Sequence, residues 1–449
     1  MTVSGLVVAV GLLAAGAAVL RDLDGVVLLT GAEPFTGHWV LRAGTGTAVA
    51  AAVAAAVAML GPRLATTLRW PALLATACSA ALVFTVALGA TVSWPDLAAP
   101  LGGPHEYLNT VPVAAADPVS FVATFTSQIS GYPIHVRGHP PGFVLVLAGL
   151  DSLGLGGAGW ASVLVILAGT SSVVAVATTL RRLGGTDGER SARQALPAMV
   201  LAPATLWVAT SADAFFAAVL AWGVAALAVG STTPGRTARW TATLGAGLLL
   251  GWCPFLSYGL LHMGMIALVV GWVTRRWAPT VVAAGVVVAT VIVWGAAGLW
   301  LWDGIVATHA QWDAGSGTGR PYLYFLVADV VLLGVLIGPA GVAGLACIAR
   351  GRRLDRATTA FVLVGVASAL LGALGGFERG EVERIWLPLA FWVAPAAALV
   401  GAREHLRSPE AQGLPQAQES PEAATTWRWW LGAQAATTVL LAVVLRSPW

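Results

Sequence analysis

The chain has 449 residues, of which 57% are hydrophobic and only 10% are charged. A soluble domain carries about 25% charged residues, so this composition excludes an ordinary soluble protein. The formal net charge is +3, and all 24 basic residues are arginine. Most of them stand in short segments between apolar runs, where they indicate membrane orientation rather than nucleic-acid binding. The three cysteines, Cys78, Cys253 and Cys347, show no C-x-x-C spacing and predict neither a disulfide framework nor a thiolate metal site.

Apolar runs long enough to cross a bilayer recur along the whole chain. A spanning helix needs about 20 apolar residues, and the sequence predicts an all-α polytopic membrane protein with about 13 such helices. The predicted spans are 3-20, 43-60, 71-92, 157-180, 194-211, 213-229, 240-256, 258-274, 279-302, 322-349, 358-376, 385-402 and 429-446. No basic residue precedes the first run, so we expect a retained span and not a signal peptide. The apolar piece 140-153 is too short to cross alone.

Arginines collect in alternate connections between the predicted spans. They are Arg63, Arg69, Arg181, Arg182, Arg190, Arg193, Arg236, Arg239, Arg275, Arg276, Arg350, Arg352, Arg353, Arg356, Arg403 and Arg407. Short cytoplasmic loops are enriched in basic residues, so these connections predict the cytoplasmic side of a plasma-membrane protein. The opposite, outer face then receives 21-42, 93-139, the turn at Asp213, 303-321 and 377-384. Six of the seven histidines fall on or near that face, where we expect the chemistry.

This layout predicts five regions. They are the N-terminal spans (1-92), an outer catalytic loop with an amphipathic juxtamembrane helix (93-139), a transmembrane core (140-402), a cytoplasmic linker (403-428) and a last span (429-449). In the outer loop, apolar residues between 119 and 129 recur at spacings of two to four, which suits a helix on the membrane surface. The linker is rich in Pro, Gln, Glu and Ala, a composition typical of flexible segments.

The outer loop contains the densest set of candidate catalytic groups. Glu106-Tyr107 stands 33 positions before the motif His-Pro-Pro-Gly that begins at His139, and Asp117 stands 22 positions before it. Two prolines stop an upstream helix and are tolerated at the start of the next one. Arg137 and His139 are therefore predicted at the mouth of an apolar helix, where a cation can meet a lipid phosphate. Alternatively, Pro-Pro is only a helix start and the cations are interfacial anchors.

These motifs resemble those of the GT-C glycosyltransferases. These multi-span enzymes include aminoarabinose transferases of lipid A, protein O-mannosyltransferases, and mannosyl- and arabinosyltransferases of actinobacterial envelopes. The family pattern reads roughly Asp-Glu-x-x-Tyr, then about thirty residues, then Lys-Pro-Pro-Leu, so Glu106 matches its spacing better than Asp117. Residues 203-216 resemble the family's helix pair joined by an Asp-bearing turn, although an N-cap role explains Asp213 equally well. His139 and Gly142 depart from the family's Lys and Leu.

The resemblance implies an inverting transfer of a sugar from a polyprenyl-phosphate-linked donor to a cell-envelope polysaccharide or glycolipid on the outer face. A carboxylate would take the proton of the acceptor hydroxyl while cations stabilise the leaving phosphate. Glu106 is the expected base, with Asp117 as the alternative. The expected donor-phosphate ligands are Arg137, His139, Arg320 and Arg384. The expected acceptor- or sugar-binding residues are Tyr107, His135, Asp213, His309, Asp313 and Glu381.

The donor sugar could be mannose, a pentose or methylthioxylose. The absence of lysine and the abundance of Ala, Gly and Val suggest a GC-rich genome, which makes an actinobacterial acceptor such as arabinomannan or lipoarabinomannan plausible. Neither a Walker nor a Rossmann motif is present, so the lipid-linked donor is the expected partner and no further cofactor is certain. A divalent metal could bind His105, His135 and His139, but no tight histidine pair on one helix supports it.

Three other functions compete with the transferase. A transporter or lipid-linked-sugar flippase also uses many apolar spans, and Asp329, inside a predicted span, is the main residue that favours it. A noncatalytic assembly protein and a polysaccharide polymerase or ligase are the remaining alternatives. The segment 377-384 holds three carboxylates and two arginines between two predicted spans, where unpaired charge is costly, so some of these residues are expected to face inward as ion pairs.

Overall fold

The protein is an all-α polytopic membrane protein, as predicted. The computed structural model describes residues 2–315, 317–376, 378–401 and 421–448. Its helices are α1 (Val3–Leu20), α2 (Thr45–Thr67), α3 (Trp70–Gly89), α4 (Val111–Ala116), α5 (Pro118–Gln128), α6 (Ile134–Arg137), α7 (Gly142–Ser152), α8 (Ala158–Val200), α9 (Asp213–Thr232), α10 (Arg236–Leu256), α11 (Leu260–Met263), α12 (Met265–Thr274), α13 (Trp277–Ala296), α14 (Leu301–Ala314), α15 (Tyr322–Ala349), α16 (Arg356–Gly375), α17 (Val382–Ile385), α18 (Leu387–Val393), α19 (Ala398–Gly401) and α20 (Pro421–Val444).

Eight helices of the described ranges are long and apolar enough to cross a membrane. They are α1, α2, α3, α8, α9, α13, α15 and α16. The outer loop contains α5 where the amphipathic helix was predicted, and this helix buries Phe121, Val122 and Phe125. Of the predicted linker 403-428, residues 403–420 lie outside the described residues, and α20 begins at Pro421 rather than at 429.

The predicted span 194-211 is not one helix. Its first residues, 194-200, continue the same helix as the preceding predicted span, 157-180. This helix, α8, bends at Gly185 with a φ of 59°, a conformation that favours glycine. After Val200 the chain forms a 3₁₀ turn, Pro203–Trp207, and reaches α9 through an irregular segment. Pro203 has no N–H to continue a helix and restricts the residue before it, so the apolar run ends in a turn. This turn places residues 210–213 at the site described below.

The backbone break in α15 is stabilised by a buried side chain from α20. Gly338 has a φ of 70° and Pro339 follows it, so the helical hydrogen bonds are interrupted there. The Gln434 amide nitrogen donates to the carbonyl oxygen of Ile337 at 2.9 Å, and its Oε1 accepts from the backbone N–H of Ala340 at 3.0 Å. Backbone groups freed inside an apolar bundle need such partners.

The arginine-rich connections lie at one end of the helices. Arg193 of α8 donates to the carbonyl oxygens of Ala65 and Leu68, at 2.8 and 2.9 Å, beside the turn between α2 and α3. Arg276 donates at 3.3 Å to the carbonyl oxygen of Ser231, near the end of α9. The segments that follow α3, precede α9 and follow α16 therefore lie at the opposite end. That this opposite end is the outer face remains the prediction from the arginines.

The described residues contain four short strands in two antiparallel pairs, one of which joins a segment near the N-terminus to a segment near the C-terminus. β1 (Gly31–Ala32) pairs with β2 (Phe35–Thr36), and β3 (His38–Trp39) pairs with β4 (Leu445–Arg446), both antiparallel. The buried ring of Phe35 stacks on Trp207, with centroids 6.3 Å apart. The β1–β2 hairpin therefore packs against the turn that precedes α9.

Candidate active site

Four separate segments of the chain meet at one small enclosed cavity. They are the 3₁₀ turn after Glu106, helix α6, the residues before α9, and helix α17. The lining residues are Glu106, Tyr107, His135, Thr210, Ser211, Ala212, Asp213 and Arg384. The cavity volume is about 10 Å³, which is room for a single water molecule. Five of the predicted site residues, Glu106, Tyr107, His135, Asp213 and Arg384, are thus brought together.

Glu106 is held by a histidine from the other end of the outer loop. Its Oε1 lies 2.8 Å from Nδ1 of His135, and only 7% of Glu106 is exposed. The backbone N–H of His135 also donates to the carbonyl oxygen of His105 at 3.1 Å, so the two segments are joined twice. A carboxylate oriented in this way can accept a proton from a hydroxyl group brought to its other oxygen.

A chain of alternating charges forms the opposite wall. Arg384 donates to Asp213 Oδ2 at 2.8 Å and to Glu381 Oε2 at 2.7 Å. Glu381 Oε1 also lies 3.3 Å from Arg320 Nη2. Asp213 is 2% exposed and Arg384 is 4% exposed, and charges this deeply buried persist only when paired. Arg320 and Glu381, both predicted site residues, join the site through this chain.

The electrostatics of the loop 378–386 keep these pairs ionised. Burial alone raises the pKa of Glu381, but the guanidinium groups of Arg384 and Arg320 outweigh it and lower that pKa to about 2. Burial alone lowers the pKa of Arg384, and the charges of Asp213 and Glu381 raise it above its usual range instead. Both shifts favour the charged forms of Glu381 and Arg384.

Asp213 does not cap α9. The helix begins at Asp213 itself, and its N-cap residue is Ala212, whose methyl side chain makes no capping hydrogen bond. The Asp213 carboxylate instead accepts from Arg384 and, at 2.7 Å, from the hydroxyl of Ser211. In the structure, Asp213 is therefore a partner of Arg384 and Ser211 and not an N-cap.

Two buried hydroxyl groups near the cavity lack a hydrogen-bond partner among the described residues. They are the phenol of Tyr107, which is 2% exposed, and the hydroxyl of Thr210. Burial raises the pKa of Tyr107, and Asp213 adds to this effect, so the phenol is neutral and can donate. Buried polar groups are usually paired. Unpaired hydroxyls beside a carboxylate suit a ligand that itself carries hydroxyl groups.

His139 is a buried, neutral ring. Burial lowers its pKa to about 4. Its Nδ1 lies 2.9 Å from the carbonyl oxygen of His135, and its ring contacts those of Tyr107 and Phe216. A neutral imidazole brings no positive charge to a phosphate, so the predicted donor-phosphate role would require a hydrogen bond from this ring. That role stays a prediction.

Gly142, which departs from the family's Leu, has a local packing reason. The prolines do open helix α7, which begins at Gly142. A Cβ at this position would overlap the backbone carbonyl oxygen of Phe255 in α10. Only glycine allows this close approach, which brings the start of α7 against α10.

The other predicted site residues lie away from the cavity. Asp117 is exposed and caps α5 by accepting from the backbone N–H of Ser120 at 3.0 Å. His309 and Asp313 are exposed on α14, with Nε2 and Oδ2 3.6 Å apart. Arg137 is half-buried on α6 and is not among the lining residues. Their predicted roles are not tested by these positions.

Sequence reasoning missed three lining residues, Thr210, Ser211 and Ala212, although all three directly precede Asp213. Sequence reasoning also took Asp329 as the main residue that favours a transporter. Asp329 is buried in α15, and its Oδ1 accepts from the backbone N–H of Gly380 at 3.3 Å, so it supports the loop that carries Glu381. Within the residues that the structure describes, no group of three or more His, Cys, Asp or Glu side chains could hold a metal ion.

Comparison with solved structures finds ArnT from Cupriavidus metallidurans. Its apo structure is 15% identical to this chain with a TM-score of 0.49, covering 84% of this chain and 78% of ArnT. The structure of the same protein bound to undecaprenyl phosphate is 14% identical with a TM-score of 0.48, covering 83% of this chain and 76% of ArnT. No family model and no curated protein matches the chain. A likeness of this degree decides neither family nor activity.

Proposed function

We propose that the protein is a GT-C-type membrane glycosyltransferase that transfers a sugar from a polyprenyl-phosphate-linked donor to a cell-envelope polysaccharide or glycolipid. The observation that carries the proposal is the position of Glu106. It is a buried carboxylate, oriented by His135, that faces unpaired hydroxyl groups and a paired arginine across one cavity. The site lies at the helix ends opposite the arginine-rich connections, which supports an outer-face reaction.

Glu106 is the proposed base. His135 contacts Oε1 of Glu106. We assign Oε2 of Glu106 as the atom that accepts the proton of the acceptor hydroxyl. As the acceptor oxygen forms its bond to the anomeric carbon, the bond from that carbon to the phosphate oxygen breaks, and Glu106 holds the released proton. The leaving polyprenyl phosphate departs with the electron pair. A positioned base contributes about 10²–10⁴-fold to such a step.

Arg384 is the proposed organiser of the sugar site. Its charge is already balanced by Asp213 and Glu381, so it supplies little net positive charge to a phosphate. We assign it to fixing the Asp213 carboxylate, whose remaining lone pairs can accept from sugar hydroxyls together with Thr210. Arg137, half-buried on the same short helix as His135, is the proposed cation for the donor phosphate.

The finer assignments extend this proposal. The donor sugar is proposed to be mannose, a pentose or methylthioxylose, and the acceptor an actinobacterial wall glycan such as lipoarabinomannan. They rest on the resemblance of the motifs and on the arginine-only, Ala- and Gly-rich composition.

A panel of radiolabelled polyprenyl-phosphate sugars, supplied to membranes that contain the protein, tests the proposal. We expect the wild type to incorporate label from one donor into glycan or glycolipid, and Glu106→Gln to abolish this while retaining donor binding. Absence of incorporation from every donor, together with movement of labelled lipid across sealed vesicles, would favour the flippase alternative.

A further inference from the structure

A second, larger cavity lies where the two ends of the chain meet. Its volume is about 740 Å³, within the range of small-molecule sites, about 300–1,000 Å³. It lies between the end of α1, the β1–β2 hairpin, the first residue of β3 and the segment that follows β4. Thr36 of this lining donates its backbone N–H at 2.9 Å to Glu383, the residue before Arg384, so the cavity adjoins the loop of the candidate active site.

The lining of this cavity is basic. Arg21, His38 and Arg446 all contribute to it, and no carboxylate does so among the described residues. Glu33, in the turn of the β1–β2 hairpin, is buried and accepts hydrogen bonds from Arg21 and the Thr30 hydroxyl. Arg21 keeps almost half of its side chain exposed despite that pair. A concave site with three basic groups favours an anionic ligand.

The strand register places two of these groups side by side. His38 is the direct cross-strand partner of Arg446 in the β3–β4 pair. Directly opposed residues of an antiparallel pair have Cβ atoms about 4.5–5.5 Å apart, so one small ligand can contact both side chains. The ladder continues through two further backbone hydrogen bonds, from Val40 to Val444 at 2.8 Å and from Arg42 to Val443 at 2.7 Å. The backbone therefore presents this pair at a fixed spacing.

We propose that this cavity binds a phosphate-bearing ligand, with Arg446, His38 and Arg21 as the phosphate ligands. Arginine suits phosphate because its planar fork donates two parallel hydrogen bonds. Arg21 is the C-cap of α1, a candidate span, so the cavity lies at the level where a span ends. Both a lipid headgroup and a soluble sugar phosphate carry the required group. Binding here does not depend on the proposed transferase activity.

Isothermal titration of the purified full-length protein in detergent tests this site, with sodium phosphate and dihexanoyl phosphatidic acid as the two probes. We expect saturable binding by the wild type and at least about tenfold weaker binding by Arg446→Gln, the effect of losing one charge-assisted contact. His38→Gln should weaken binding in the same direction. Arg428→Gln is the matched control, because Arg428 is exposed near the start of the same helix that leads to Arg446.

The two probes separate the sources of the ligand. Saturable binding of both means that phosphate alone is recognised, and binding of phosphatidic acid alone assigns the site to a lipid headgroup. Two results would overturn the proposal. One is the lack of saturable binding of either probe to the wild type. The other is an affinity that survives Arg446→Gln and His38→Gln, because the probe would then bind elsewhere, for example near Arg137.

Discussion

Removing one member of the buried Asp213–Arg384 pair should destabilise the protein strongly. Asp213→Asn leaves Arg384 with Glu381 as its remaining carboxylate in the network, and Arg384→Gln leaves Asp213 buried with only the Ser211 hydroxyl. Breaking a buried pair from one side costs about 3–5 kcal/mol, because the other charge stays desolvated without its counter-charge. We expect the upper part of this range for Arg384→Gln, since that change deprives two carboxylates of one cation.

The double variant distinguishes a buried ion pair from two independent packing defects. With both charges neutralised, the uncompensated charge disappears, so the double variant should cost clearly less than the sum of the two single changes. The free energy of unfolding, measured by denaturant titration in mixed micelles, gives the coupling for the cycle. Contacting residues couple by about 0.5–3 kcal/mol. Strict additivity of the two changes would refute the assignment of a coupled pair.

Three further predictions concern single positions. Gly142→Leu introduces a side chain whose Cβ overlaps the Phe255 carbonyl oxygen, so thermal unfolding should show a loss of about 1–3 kcal/mol; unchanged stability would contradict the close approach. Gln434→Leu leaves the Ile337 and Ala340 backbone groups unpaired, at about 1–3 kcal/mol each, and a neutral effect would argue against the role of Gln434. Burial raises the pKa of Glu383 to about 7, against an ordinary value of 4.5, so its contribution to stability falls as the pH rises from about 4.5 to 7. Glu383→Gln should therefore gain stability relative to wild type across that window, and a constant difference would be inconsistent with the raised pKa.

The sequence was sufficient to predict a membrane protein and several residues that line the cavity, but not which of these residues contact each other. Hydropathy identifies apolar runs, and the spacing from the Pro-Pro motif singled out Glu106, one of the two carboxylates that line the cavity. A sequence pattern does not show which loop residues contact each other, so it could not predict the hydrogen bond from Arg384 to Asp213, which are 171 positions apart. Asp117 caps α5 and does not line the cavity, a position that the residue type alone does not reveal. Its catalytic role stays a prediction.

Burial explains one further difference from the sequence predictions, and a proline explains another. His139 was expected as a cation because the Pro-Pro motif places it at the mouth of an apolar helix, yet it packs against the rings of Tyr107 and Phe216, and burial lowers its pKa to about 4. The apolar run 194-211 satisfied the length of a span, but Pro203 turns its second half into the wall of the site. Tertiary packing, which local pattern does not encode, set the outcome for His139, whereas the proline that ends the apolar run is visible in the sequence.

The steady-state kinetics of sugar transfer by Glu106→Gln test the central claim most directly, with Asp117→Asn measured beside it. If Glu106 is the base, its amide variant should lose at least about 10²-fold in kcat with little change in the KM for the lipid-linked donor. Asp117→Asn should remain close to wild type, because it alters an exposed helix cap. Full activity in Glu106→Gln, or the loss of kcat in Asp117→Asn instead, would contradict the assignment.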